Sequence, residues 1–157
     1  MISIAQMKKE NWTERQVARE SLDRLNKQGA PSFVAGSVMN CLYYYEENNT
    51  KCAVGILLPD SYKSLVKDLL LNAEDLVGVL EENNKLQMAK ALEHYLPVLN
   101  YLQNFHDTAT NGDWRYFTKG WPAASTLLSK YYGSKKLEKL YNKLNGAAVS
   151  AIATASR

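Results

Sequence analysis

Cys41, Cys52, His94 and His106 are the only thiols and imidazoles among the 157 residues of this chain. A cysteine becomes a nucleophile at neutral pH only beside a base or a positive charge. His106 is the better-placed base, because it lies in the run Leu102-Gln103-Asn104-Phe105-His106-Asp107. In a helix, Gln103, His106 and Asp107 share one side, being three and four apart. Asp107, one residue on, is expected to point away from the His106 ring and to orient it poorly. With no nucleophile motif around either cysteine, the plainer role for His106 is to cap a helix C-terminus. Two cysteines and two histidines also make up an accepted zinc shell. Ten residues separate the cysteines and eleven the histidines, and one continuous helix would hold the two rings about 18 Å apart. The spacing therefore predicts no metal and no cofactor, with the cysteines reduced and packed as small apolar groups.

The elements that must position these groups are mostly helical. Thr13 and Gln16 form a capping box that starts a helix over about 13–28, with Ala18, Leu22 and Leu25 on its apolar face and Gly29 as its stop. Strand character is confined to residues 33–58. Tyr43, Tyr44, Tyr45, Val54 and Ile56 favour a pleated surface, and Glu46-Glu47-Asn48-Asn49-Thr50 supplies turn residues. A β-hairpin over about 38–58 is expected, with a third short strand near 33–38. Gly55 within it suggests a bulge or a close backbone approach. Two strands are marginal in water, so residues 52–55 should pack near 102–107.

Further helices are expected over 61–71, with Ser61 as its cap, and over 73–82. The longest spans 85–107, where Met88, Leu92, Tyr95, Leu99, Leu102 and His106 fall alternately four and three apart. Pro97 should kink it near 93–96. Pro122 suits the first turn of another helix, ended by Gly133. Ser134 caps a last one, with Leu137, Leu140, Tyr141 and Leu144 inward, Lys135, Lys139 and Lys143 outward, and Gly146 as its stop. Residues 147–157 are then a flexible tail. The expected fold is α+β, mostly α: one helical domain over 1–157 carrying a small antiparallel hairpin.

Composition narrows the function classes. Hydrophobic residues make up 46% and charged residues 22%, with a formal charge of +3, as in ordinary globular proteins. No apolar run approaches the ~20 residues of a membrane-spanning helix, and the N-terminus lacks the order of a signal peptide. No glycine-rich phosphate loop and no serine nucleophile elbow is present. Basic residues cluster from Arg115 to Lys143. That distribution reads as a solvated helix face or as a surface for an anionic partner.

The motifs Lys27-Gln28-Gly29…Ser32, Cys41-x-Tyr43 and Lys51-Cys52-Ala53-Val54-Gly55-x-Leu57-x-Pro59-Asp60-x-Tyr62, with Leu102-Gln103-x-x-His106-Asp107 and Trp114 further on, resemble a family of short proteins from tailed bacteriophages and prophages. The resemblance covers roughly 27–114 and implies an origin, with no assigned activity. Members commonly carry Arg and Cys where this chain has Tyr44 and Ile56, so no role resting on those two groups carries over. The resemblance implies a phage-encoded accessory protein in the cytoplasm of an infected bacterium. It would act without catalysis, by binding a host protein, one of antiviral defence for example, or a small nucleotide-type signal. Gln103, His106, Asp107, Tyr43 and Trp114, with Arg115 for an anionic ligand, are the candidate contacts. On this reading His106 and Gln103 could be truncated with little effect on melting. Two alternatives remain: a small enzyme using Cys52 or Cys41 with His106, and nucleic-acid binding through the basic C-terminal helices, which would be steeply salt-dependent.

Overall fold

The computed structural model describes residues 1–35, 42–67 and 69–155. Its N-terminal half is organised by the second of two opening helices, α1 (Ile4–Lys9) and α2 (Glu14–Gln28). The Thr13–Gln16 capping box starts α2, and Gly29 ends it in the left-handed conformation with φ of 76°. One side of α2 buries Val17, Ala18, Leu22 and Leu25. A neighbouring stripe, Ser21, Arg24 and Gln28, is polar and runs along residues 51–56. Ser21 Oγ donates to the Ala53 carbonyl at 2.7 Å, and Arg24 Nη1 to that of Ile56 at 3.0 Å. Gln28 engages Lys51 twice: its Oε1 accepts from the Lys51 N–H, and its Nε2 donates to the Lys51 carbonyl, both at 2.9 Å.

That clamp holds a shorter hairpin than the residue types predict. Strand β1 is Tyr44–Tyr45 and β2 is Thr50–Lys51, antiparallel, with Tyr44 opposite Lys51 and Tyr45 opposite Thr50. Tyr44 also forms a parallel bridge with Lys67. The second strand does not continue through Val54 and Ile56. Residues after Cys52 turn into a 3₁₀ helix, Gly55–Leu57, and a second follows at Asp60–Tyr62. The reason is burial on every side: Cys52, Ala53, Val54 and Leu57 are inaccessible, and an apolar run this short has no period to separate strand from helix. Gly55 is required by close approach, since a Cβ there would lie 2.1 Å from the Tyr43 carbonyl oxygen. The expected third strand falls partly on residues 36–38, outside the described residues.

The remaining helices are α3 (Lys63–Val66), α4 (Ala73–Glu82), α5 (Leu86–His94), α6 (Leu96–Ala109), α7 (Trp114–Gly120), α8 (Pro122–Tyr132) and α9 (Ser134–Ala155). The helix expected over 61–71 is only the single turn of α3, without a Ser61 cap. Helix α4 is capped by Asn72, whose side chain accepts from the Asp75 N–H at 2.8 Å. The expected kink at Pro97 is a full break. Tyr95 leaves helical geometry with ψ of 13°, and Pro97 sits in the first turn of α6, where its missing N–H has no cost. All six members of the predicted seam, from Met88 to His106, are nevertheless buried. Helix α7 has the signal of an Asp113 cap accepting from the Tyr116 N–H.

Helix α9 runs through Gly146 rather than stopping there. A mid-helix glycine costs about 1 kcal/mol, and the helix-favouring residues that follow, with Ala148 fully buried, offset it. Helix α6 packs against α2, α4, α5, α7, α8 and α9, so its faces point into different parts of the molecule. Toward α7 and α9, Phe105 meets the edges of Phe117 and Tyr141, each at 5.6 Å between centroids.

Candidate functional site

His106 is wholly buried, and both ring nitrogens are engaged. Nε2 accepts from the Ser32 backbone N–H at 3.0 Å, and Nδ1 lies 2.9 Å from Asp107 Oδ1. A ring that accepts at Nε2 carries its proton on Nδ1, so His106 is a neutral imidazole that donates to Asp107. The expectation that Asp107 points away is corrected. Although consecutive helical side chains diverge, the short Asp107 carboxylate reaches back to the near edge of the ring. His106 thereby ties α6 to the segment entering the hairpin, and its one lone pair is already taken.

Cys52 lies in the same neighbourhood, as the expected packing of 52–55 on 102–107 requires. The Gln103 side chain and the Asp107 charge both act on its thiol. Sγ accepts from the Gly55 N–H at 3.3 Å. Burial dominates, however, and pushes the thiol up to about 12. Cys52 is a free, buried thiol and no thiolate forms near neutral pH. Cys41 lies outside the described residues. Among the described residues, no three His, Cys, Asp or Glu side chains are grouped to hold a metal ion. His94 is exposed at the end of α5, edge-on to Tyr95 at 4.7 Å.

Tyr43 belongs to this cluster too. Its ring is buried and its hydroxyl has no hydrogen-bond partner. Burial, then the charges of Cys52, Asp107 and Asp75, raise its pKa far above the ordinary phenol value. Gln103 is split in function: Nε2 faces Asp107 Oδ1 at 3.4 Å, while the buried Oε1 has no partner. Outward from this cluster, Asn100, Gln103, Asn104 and Asp107 line a cleft of about 270 Å³, closed on its other side by residues 70–73. Their three-and-four spacing makes a polar stripe on α6 that is readable in the sequence but is easily missed beside the apolar one.

Trp114 and Arg115 stand apart. Trp114 packs on Phe117 and Tyr141, the aromatic group that Phe105 joins. Phe105 and Asp107 are about 200° apart around α6, so Trp114 is on the far side from the cleft. The Arg115 side chain is 80% exposed, 3.4 Å from Asp113. The structure thus joins Gln103, His106, Asp107 and Tyr43, adds Asn100 and Asn104, and leaves the other two elsewhere.

Fold and site together define a mostly helical α+β protein with a small cleft on its central helix, lined by one carboxylate and several side-chain amides. No protein-family model matches the chain, and no curated protein or solved structure matches it either. No helix among the described residues is long and apolar enough to cross a membrane.

Proposed function

We propose that this protein binds rather than catalyses, and that it takes a cationic or donor-rich side chain of a host protein into the cleft between residues 70–73 and α6. The carrying observation is the distribution of free hydrogen-bonding capacity. Cys52 is a protonated thiol and the His106 lone pair is occupied, which argues against a nucleophile–base pair of the kind an enzyme needs. What faces the cleft is the 39% exposed Asp107 carboxylate, set among the side-chain amides of Asn100, Gln103 and Asn104. Such a surface favours N–H donors such as guanidinium or ammonium. A volume of about 270 Å³ suits one side chain better than a whole nucleotide. The resemblance to phage proteins supports a bacterial host protein, one of antiviral defence for example, as the partner, met in the cytoplasm of an infected cell.

Asp107→Asn tests this, because the asparagine Oδ1 still accepts from His106 Nδ1 while the charge is lost. N-acetyl-arginine amide should shift the amides of Asn100, Gln103, Asn104 and Asp107 in the wild type. The shifts should weaken about tenfold in the variant, with the melting temperature little changed. Capture of host proteins from a bacterial lysate should weaken in parallel. Undiminished binding by the variant would refute the cleft as the docking point.

A further inference from the structure

A second cavity, of about 320 Å³, lies on the other flank of the hairpin and has the opposite chemistry. Its walls include Arg24, Lys27, Lys51 and Lys63, with Asn49 and Asp60 between them. We propose that this groove binds a phosphate-type oxyanion between the ammonium groups of Lys51 and Lys63, with Lys27 at the rim, and that the Asp60 carboxylate fills that place when the ligand is absent.

The geometry carries the assignment. Lys51 Nζ and Lys63 Nζ converge on one oxygen, Asp60 Oδ1, at 2.6 and 3.9 Å. Two ammonium groups that close on one carboxylate oxygen are spaced to share one oxyanion. The pair is also lopsided in burial, with the Lys51 side chain 15% exposed and that of Asp60 80% exposed. An ammonium so nearly buried must keep an anionic partner, whereas Asp60 can turn into water at little cost. Exchange of one anion for another is therefore the available event. Lys51 holds the Asp60 carboxyl below its ordinary value, and Lys63 adds to the effect, which marks the place as favourable to negative charge.

The rest of the groove suits an incoming anion. Asn49 Oδ1 accepts from Lys63 at 3.2 Å and steers its ammonium toward the groove. Arg24 is held in place by Glu20 and by the carbonyls of Ile2 and Ile56, so it contributes chiefly a fixed positive field. Lys27, in the last turn of α2, has no partner among the described residues. A phosphate oxygen reaching the rim would give it one. The site shares no residue with the cleft on α6.

Titration with inorganic phosphate at pH 7 and constant ionic strength, followed by amide chemical shifts, tests the proposal. Saturable shifts at Asn49, Lys51 and Lys63 are expected, with none from chloride. Asp60→Asn removes the internal competitor and should tighten binding about fivefold, the effect of one unit charge at contact range in water. Lys63→Gln should weaken it at least threefold without lowering the melting temperature by more than about 2 °C, and Asp107→Asn should leave it unchanged. Ribose 5-phosphate decides the source: tighter binding than inorganic phosphate assigns the site to a phosphate ester, equal binding to the free ion. Shifts reproduced by chloride, or an Asp60→Asn variant that binds no better than wild type, would overturn the proposal.

Discussion

Truncating His106 to alanine should destabilise the fold strongly, against what its place in an open binding site would suggest. The ring is inaccessible and accepts from the Ser32 N–H at 3.0 Å. Alanine leaves that amide buried without a partner, a cost of about 1–3 kcal/mol. It also leaves a cavity where the ring was, worth about 2–3 kcal/mol when a buried side chain of this size is removed. The sum, roughly 3–6 kcal/mol, is a large part of the 5–15 kcal/mol that a domain usually has. For a chain of 157 residues it corresponds to a fall in Tm of about 6–24 °C. Thermal melts by circular dichroism, paired with urea midpoints, measure it. His106→Gln keeps an acceptor within reach of Ser32 and should recover a third or more of the loss. A fall of less than about 2 °C in the alanine variant would refute the burial and the hydrogen bond together. A glutamine variant no better than alanine would show that the cavity, not the amide, carries the cost.

Two further outcomes follow from the hairpin. Gly55→Ala forces a methyl to within 2.1 Å of the Tyr43 carbonyl oxygen, so the backbone must move. A loss of about 2–3 kcal/mol is expected, and an unchanged urea midpoint would show the approach to be looser than described. Cys52 links stability to alkaline pH. Its folded-state pKa is raised from 9.0 to about 12, so above pH 9 the unfolded chain releases a proton that the folded chain keeps. Stability should fall with rising pH across that window, by at most about 1.4 kcal/mol per pH unit. Urea midpoints of wild type and Cys52→Ala should diverge accordingly, and parallel profiles would contradict the assignment.

Much of the helical frame was legible because caps and stops are local chemistry. Thr13, Gln16 and Gly29 fix α2 without reference to the rest of the chain, and Pro122 and Gly133 bracket α8 in the same way. Gly146 misleads because a glycine stops a helix only when tertiary packing does not carry the helix past it. The turn after Cys52 was not legible, since residues 52–58 are buried from every direction and leave no periodic trace. At the site, the apolar seam correctly places His106 inward, but the depth of its burial follows from Ser32, 74 residues away. The pairing with Asp107 escaped a rule about helical directions that neglects how short the aspartate is. Asn100 and Asn104 are visible in the sequence as a polar stripe, but amides have no acid–base chemistry to set that stripe apart from any solvated helix face.

The double hydrogen bond from Gln28 to Lys51 has a consequence for solubility. A two-stranded ribbon ordinarily presents two open edges to any passing extended chain. Here the Gln28 amide supplies one acceptor and one donor to Lys51 on the outer side of β2, as a neighbouring strand would, while Lys67 bridges Tyr44 on β1. A side chain and a single bridge residue thus stand in for the missing strands. The hairpin is closed to recruitment into intermolecular sheets for as long as α2 stays docked.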